Sequence, residues 1–178
     1  MKPFDLQQDF FSLFKFPVRF QIDGSALEQK FRALQAEVHP DKFAHLTESE
    51  RRMSMQWATR VNEGYQTLRN PLNRARYLLS LQGVDTQEDS NTAMPVDFLM
   101  QQMEWREALE ETRQTKNGTA LEKLEQRVQH EMRLLQKQLA TDLDETHDYA
   151  AASGIVRKLK FLEKLAEEIG SAFDELDS

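Results

Sequence analysis

The tetrapeptide His39-Pro40-Asp41-Lys42 brings an imidazole, a carboxylate and an ammonium group together within four residues. Such a set could serve either acid–base catalysis or the recognition of a charged partner. Catalysis by His39 and Asp41 would need a pocket and a third group that orients the base. Recognition is the favoured interpretation, because Asp41 can pair with a partner's arginine and His39 can donate one polar bond. Pro40 stiffens the turn and so lowers the entropy lost on docking. A small hydrolase or metalloenzyme at this pair is kept as an alternative.

Two amphipathic segments must hold this tetrapeptide in place. Apolar residues recur at helical spacing on both sides of it, upstream at Leu27, Phe31, Leu34 and Val38 and downstream at Trp57, Val61, Tyr65 and Leu68. Pro40 disfavours helical geometry at the residue before it and cannot extend a helix itself. The pattern predicts two antiparallel helices over 26–39 and 48–69, with residues 40–47 as an exposed turn between them.

Aromatic residues, prolines and capping patterns mark the other elements. Phenylalanines cluster near the beginning of the chain, at Phe4, Phe10, Phe11, Phe14 and Phe16. A short helix over 8–15 would pack part of this cluster against the hairpin, and a further helix over 71–82 follows the break at Asn70-Pro71. Patterns that satisfy the free amides of a helix start are found at Ser25 with Glu28, Thr47 with Glu50 and Thr119 with Glu122.

The C-terminal half is predicted to be a separate domain. Residues 84–94 are polar and lack apolar periodicity, so they are expected to link a domain at 1–83 to one at 95–178. Three long helices are predicted in the second domain, over 95–115, from Thr119 to a loop at 142–148, and over 148–176. Their apolar spacing is typical of a helix bundle. Gly154, inside the last helix, is expected to mark a close approach of two helices.

Composition and charge exclude several classes of function. Only 39% of the 178 residues are hydrophobic, no apolar run is long enough to cross a membrane, and the chain's first residues lack the apolar core of a signal peptide. We therefore expect a cytoplasmic protein. The chain has no cysteine, its histidines are not at metal-ligand spacing, and it has no phosphate-binding glycine loop, so we expect neither a metal nor another cofactor.

The net charge of −7 is unevenly distributed. Residues 1–84 carry 12 basic and 9 acidic side chains, a balance of +3, whereas residues 85–178 carry 11 basic and 21 acidic ones, a balance of −10. Such an acidic chain is a poor candidate for binding nucleic acid. Two modules with differently charged partners would explain the asymmetry, and ordinary surface variation would explain it equally well.

Two groups of residues outside the tetrapeptide are candidate contact sites. Lys30, Arg32 and Lys42 lie off the apolar stripe and could steer an acidic partner, or they could simply be a solvated face. In the 95–115 helix, a second apolar surface edged with carboxylates lies off the core stripe and contains Leu99, Met100, Met103, Glu104, Glu107 and Glu111. Phe161 lies off the stripe of the last helix. An apolar patch with a charged rim is typical of protein binding, but packing against the first domain or against another helix is the alternative that spacing leaves open.

The sequence resembles a known family over nearly its full length. The order of elements around His39-Pro40-Asp41 is similar to that of J-domains. The whole chain resembles the HscB co-chaperones of bacterial iron–sulfur cluster assembly. The likeness rests on the runs 10–14, 39–44, 61–69, 71–79, 98–100 and 156–162. The resemblance implies an all-α, L-shaped protein with an N-terminal J-domain and a C-terminal three-helix bundle.

The resemblance also implies two partners. The turn at 39–42 would dock on the DnaK-type chaperone HscA and stimulate its ATP hydrolysis. The second domain would bind the iron–sulfur scaffold protein IscU, through positions that match Leu99, Met100, Glu104, Glu107, Glu111 and Phe161. Met103 stands where leucine is expected, and Val38 where many J-domains have tyrosine. The chain is expected to be a monomer without catalysis of its own. A J-domain protein for general unfolded clients is the alternative.

Overall fold

The computed structural model describes residues 5–91 and 93–177, and Phe4 of the aromatic cluster lies outside them. The described part of the chain contains helices and no strand, which confirms the predicted all-α class. The seven α-helices are α1 (Phe10–Leu13), α2 (Gly24–Glu37), α3 (Glu48–Arg69), α4 (Pro71–Leu81), α5 (Val96–Thr115), α6 (Gly118–Asp144) and α7 (Tyr149–Leu176). A 3₁₀ helix (Pro40–Phe43) lies between α2 and α3. The chain divides into two compact units, Met1–Gln82 and Gly83–Ser178.

The first unit is built around the packing of α2 against α3. The apolar stripes predicted for the two helices meet, with Leu27, Val38 and Val61 each 1% exposed and Trp57 3% exposed. Phe31 and Tyr65 stack across the pair with their ring centroids 4.0 Å apart. Burial of these side chains, at about 25 cal/mol per Å² of apolar surface, supplies the main stabilisation of the hairpin.

The short helix α1 packs its aromatic residues against α3 and α4. Phe10, Phe11 and Phe14 are all buried, and the hydroxyl of Tyr77 in α4 accepts a 2.9 Å hydrogen bond from the Phe10 amide. This amide begins the helix and has no carbonyl partner within it. A Cβ atom on Gly64 would lie 2.9 Å from Cδ1 of Phe10 and 3.0 Å from Cε2 of Phe14. Glycine at this position of α3 therefore allows α1 to approach.

Two of the predicted helix starts are wrong and one is confirmed. Thr47 and Glu50 form the predicted reciprocal cap of α3. Helix α2, however, begins at Gly24 with Asp23 as its cap, and α6 begins at Gly118 with Asn117 as its cap. Asp and Asn bind free amides at least as well as Ser and Thr. Each precedes the predicted cap by two residues, so the helix starts earlier.

The second unit consists of α5, α6 and α7, each with one buried face. Trp105 and Leu109 of α5 are buried, 6% and 3% exposed. Glu168 of α7 joins α5 to α7, because its carboxylate pairs with Arg106 at 3.0 Å and its carbonyl accepts a 3.3 Å bond from Arg113. Helix α6 continues to Asp144, so the predicted loop at 142–148 is shorter than expected.

The segment that precedes α5 is attached to α7. Arg157 donates a 2.9 Å hydrogen bond to the carbonyl of Thr86, and the ammonium group of Lys160 lies 2.8 Å from the Asp89 carboxylate. The described part of the predicted linker thus makes contacts within the second unit. Gly154 does not mark the expected helix approach, since a Cβ there would meet only the Arg157 guanidinium, at 3.7 Å.

The steric requirement at Gly64 can be tested with a matched glycine in α7. We expect Gly64→Ala to destabilise the first unit by about 1–3 kcal/mol, because the added methyl group overpacks the aromatic contact. Gly170 has no heavy atom within 4 Å of its built Cβ, so Gly170→Ala should stabilise the second unit by up to about 1 kcal/mol. Urea denaturation of both variants measures the two free energies of unfolding, and equal effects would contradict the steric account.

The Tyr77 phenol allows a prediction of how the stability of the first unit changes at alkaline pH. Burial raises the pKa of the Tyr77 phenol, and the hydrogen bond from the Phe10 amide opposes this more weakly. A raised folded-state pKa gives stability that is fully present below the unfolded pKa of about 10 and is lost as pH rises through the folded value. We expect Tyr77→Phe to cost about 1–2 kcal/mol at neutral pH, because the Phe10 amide loses its acceptor. The variant should also lose less stability between neutral and alkaline pH.

Denaturation of the two proteins across this pH range measures both effects. Tyr65→Phe is the control, since the Tyr65 ring is in aromatic contact with Phe31 and its hydroxyl makes no hydrogen bond to any of residues 5–91 and 93–177. An alkaline loss of stability unchanged by Tyr77→Phe would show that another group titrates.

Candidate functional site

The 39–42 turn is a short helical cap on the end of the α2–α3 pair. Val38 ends α2 and is buried, whereas the four residues that follow are exposed. Pro40 occupies the first position of the 3₁₀ helix, where its missing amide hydrogen costs nothing. Nδ1 of His39 accepts a 3.3 Å hydrogen bond from the Asp41 amide. In the neutral ring Nε2 therefore carries the hydrogen, and it is the nitrogen that can donate to a partner.

The Asp41 carboxylate is more exposed than the His39 ring beside it. Its side chain is 90% exposed, and its Oδ2 lies 3.5 Å from Nδ1 of His39. Catalysis by the pair would need an enclosed site that the turn does not form. Residues 5–91 and 93–177 contain no group of three side chains that could hold a metal ion. The exposure of both side chains suits recognition, and the role of the turn stays a prediction.

Phe43 fixes the turn to the rest of the unit and was missed as a positioning residue. Its ring packs edge-on against Trp57 of α3, with centroids 5.9 Å apart. The available signal was a phenylalanine within the 40–47 segment that was predicted to be an exposed turn. The contact attaches one side of the 3₁₀ helix to the hairpin, so His39 and Asp41 are presented by an anchored backbone.

The three cations predicted to steer a partner have different surroundings. Lys42 is exposed within the turn. Arg32 is exposed and pairs with Glu28 one helical turn away. Lys30 instead donates a 3.2 Å hydrogen bond to the Lys15 carbonyl and lies 3.9 Å from the centroid of the Phe16 ring. Neither contact neutralises the ammonium group, so the steering role of Lys30 stays a prediction, as it does for Arg32 and Lys42.

The apolar surface predicted on α5 is uncovered. Leu99, Met100 and Met103 are 43%, 60% and 63% exposed, while Phe98 in the same helix is buried. Packing against another helix, the alternative left open by spacing, is therefore not what these three side chains do. The carboxylates of Glu104, Glu107 and Glu111 are exposed beside them. Val96, 72% exposed and one turn earlier, extends this apolar surface and was missed.

A groove of about 480 Å³ adjoins Met100. It is lined by Asp97, Phe98, Met100, Gln101 and Glu104 of α5, Glu131 of α6 and Lys158 of α7. The ammonium group of Lys158 lies 5.4 Å from the centroid of the Phe98 ring. Phe161, half-buried, follows Lys158 by three residues and so lies on a neighbouring part of α7. Sequence periodicity gave no sign of Glu131, because a lone carboxylate on α6 looks like solvated surface.

Comparisons with known proteins identify the family. Residues 94–170 match the family described as the HSCB C-terminal oligomerisation domain. A co-chaperone protein HscB homolog of Aromatoleum aromaticum is 54% identical over 174 residues, which cover 98% of both chains. The homolog of Azoarcus is 56% identical over the same share of each chain. The chain belongs to the HscB family of co-chaperones. The family description speaks of oligomerisation, which contrasts with the expected monomer, and the monomer stays a prediction.

Solved structures of HscB proteins have the same fold. Chaperone HscB from Vibrio cholerae is 40% identical and superposes with a TM-score of 0.85, covering 95% of this chain and 99% of that one. Human co-chaperone protein HscB is 30% identical, with a TM-score of 0.87 over 93% of this chain and 82% of the human one. These matches confirm a J-domain followed by a C-terminal helical domain. Within residues 5–91 and 93–177, no helix is long and apolar enough to span a membrane.

Proposed function

We propose that this HscB-family chain binds an IscU-type iron–sulfur scaffold, delivers it to an HscA-type ATPase chaperone and stimulates that chaperone's ATP hydrolysis. One observation carries the proposal: the first unit has an exposed charged turn, and the second has an exposed apolar face. The first unit presents Asp41 beside His39 on an anchored turn, and the second presents Leu99, Met100 and Met103 uncovered on α5.

Asp41 suits a charge-dependent contact with the ATPase. A carboxylate that is 90% exposed loses its water on docking and is then compensated by a bidentate arginine of the partner. The Phe43–Trp57 contact and Pro40 restrict the turn before binding, which lowers the entropy lost in the complex. Lys42 and Arg32 are exposed, so they contribute to the approach of an acidic surface on the chaperone.

We call the second surface the scaffold-binding face, made up of Leu99, Met100, Met103, Glu104, Glu107, Glu111 and Phe161. Its apolar centre gains free energy when it leaves water, and its carboxylate rim selects a partner with basic groups. The methionines adapt their shape to the scaffold, since a thioether side chain is unbranched and flexible. The cluster itself is cargo on the scaffold, because this chain has no cysteine to hold it.

The two contacts cooperate because they lie on one chain. A scaffold bound to the second unit is brought to the same chaperone molecule that the J-domain engages. Stimulated hydrolysis then favours the chaperone state that holds the scaffold, and cluster release follows. The co-chaperone contributes binding and positioning, and the chaperone supplies the hydrolytic chemistry.

The ATPase contact can be tested with a nearly isosteric change. We expect Asp41→Asn to reduce stimulation of the HscA-type ATPase by about 30-fold or more, since loss of one partner of a desolvated charge pair costs about 2–5 kcal/mol. Steady-state ATP hydrolysis by the chaperone, with the scaffold present, measures the effect. The melting temperature of the variant should match that of the unchanged chain, because the Asp41 side chain is almost fully exposed.

The matched control for this variant is Glu125→Gln in α6. It removes an equal charge from an exposed position on the other unit, so stimulation should be retained. Undiminished stimulation by a folded Asp41→Asn chain would refute the assigned role of the turn.

The scaffold contact can be tested with two leucines of similar exposure. Leu99 on α5 is 43% exposed and Leu134 on α6 is 46% exposed. We expect Leu99→Ala to weaken scaffold binding about fivefold or more, as expected for a central interface side chain. Phe161→Ala should act in the same direction, whereas Leu134→Ala should change affinity less than about twofold. Isothermal titration of each full chain with the folded scaffold gives the dissociation constants.

The same titration separates the proposed function from a J-domain protein for general unfolded clients. A chaperone adaptor of that second kind would bind a denatured polypeptide as well as the folded scaffold. The alternative would be favoured if denatured protein bound as strongly as the folded scaffold and if Leu99→Ala did not weaken that binding.

A further inference from the structure

Two methionine side chains of the scaffold-binding face are exposed to solvent. Met100 and Met103 are 60% and 63% exposed and lie three residues apart on the same side of α5. Among the described methionines, Met55 of the first unit has comparable exposure, 62%, while Met53, Met94 and Met132 are half-buried. The sulfur atoms of Met100 and Met103 are therefore accessible to small oxidants at the place where partner binding needs an apolar surface.

Hydrogen peroxide reacts with such a group without a further reagent. The sulfur lone pair attacks one peroxide oxygen, an S–O bond forms, the O–O bond breaks and water leaves. The thioether is oxidised by two electrons to a sulfoxide and the peroxide is reduced. The product is polar and chiral, and a sulfoxide reductase with a thiol reductant converts it back to the thioether.

The surroundings of Met100 and Met103 make the added oxygen costly for docking. Met100 borders the groove between Phe98, Glu104 and Glu131, and Leu99 is its neighbour in the sequence. Two donors, the Gln101 amide and the Lys158 ammonium group, also line this groove, but an apolar partner surface packed on Leu99, Met100 and Met103 offers a sulfoxide oxygen no hydrogen. A scaffold that is complementary to the apolar face would therefore bury an S–O dipole with no donor on the scaffold side, which is unfavourable.

We propose that Met100 and Met103 are a reversible oxidation site, at which peroxide-class oxidants convert thioethers to sulfoxides and so release the scaffold from α5. The inference rests on the proposed function, because it assigns a modification to the scaffold-binding face. Met103, which stands where leucine was expected, adds a second exposed thioether to this face. Oxidation would interrupt scaffold delivery, and reduction would restore it without new synthesis of the protein.

The test compares scaffold binding before and after mild treatment of the full chain with hydrogen peroxide. Peptide mass spectrometry first identifies which methionines have gained an oxygen atom. We expect Met100, Met103 and Met55 to be oxidised before the half-buried methionines. Titration with the unoxidised scaffold should then show about a tenfold loss of affinity, and treatment with a methionine sulfoxide reductase should reverse it.

Two variants separate the face from the rest of the chain. Each is compared with its own untreated form, whatever its starting affinity. The double variant Met100→Leu/Met103→Leu should keep the same affinity after peroxide treatment, whereas Met55→Leu should be as sensitive as the unchanged chain. Circular dichroism before and after treatment checks that the helices remain intact.

The outcomes distinguish this inference from the proposed function. If the untreated chain does not bind the scaffold, the proposed function fails and the inference fails with it. If the untreated chain binds, and binding is unaffected when Met100 and Met103 both carry sulfoxides, the inference alone is overturned. It is also overturned if the double leucine variant loses affinity on oxidation to the same extent.

Discussion

The burial of the α2 stripe against α3 is the interaction on which the first unit depends. Leu27 and Val38 can leave water only if the two helices lie side by side, and the chain between them must then reverse within a few residues. Pro40 ends α2 without leaving a buried amide unpaired, and Phe43 returns to Trp57 so that the reversal is anchored. The charged residues at the reversal are consequently exposed to solvent.

In the second unit, helix α5 has two apolar faces, of which one is buried and one is exposed. Helix α5 needs one face, with Phe98, Trp105 and Leu109, for contact with α6 and α7. A second apolar face on the same helix has no such partner and remains in water, at a cost in free energy that folding alone does not explain. Arg106 and Arg113 fix α5 to Glu168, so the uncovered face is presented by a helix that is joined to the bundle. A surface of this kind is rigid in its backbone and adaptable in its side chains.

The positions of the helices could be predicted from the sequence because a helix with one buried face has apolar residues at every third or fourth position. The α3 bounds agree with that period, and Leu27, Val38, Trp57, Val61 and Leu68 of the two predicted stripes are buried. Caps were less predictable, since Asp23 and Ser25 both offer acceptors and the choice depends on which amide each one reaches first. The α6 C-terminus was extended by Asp142, a carboxylate that looked like loop composition but is buried and bonded to Gln138.

The candidate surfaces were predictable only in part, because exposure depends on contacts between residues far apart in sequence. Periodicity placed Leu99, Met100 and Met103 off the core stripe but could not say whether another helix covered them. Lys30 lies off the stripe as predicted, but spacing gave no sign of its contacts with the Lys15 carbonyl and the Phe16 ring. The role of Glu131 required the meeting of three helices, which no local pattern contains.

The placement of the two tryptophans has a practical consequence. Trp57 lies in the core of the first unit and Trp105 in that of the second, and both are nearly inaccessible to solvent. The chain has only these two indoles. Replacing either one by phenylalanine would leave a single tryptophan, so that tryptophan emission would report the unfolding of one unit alone.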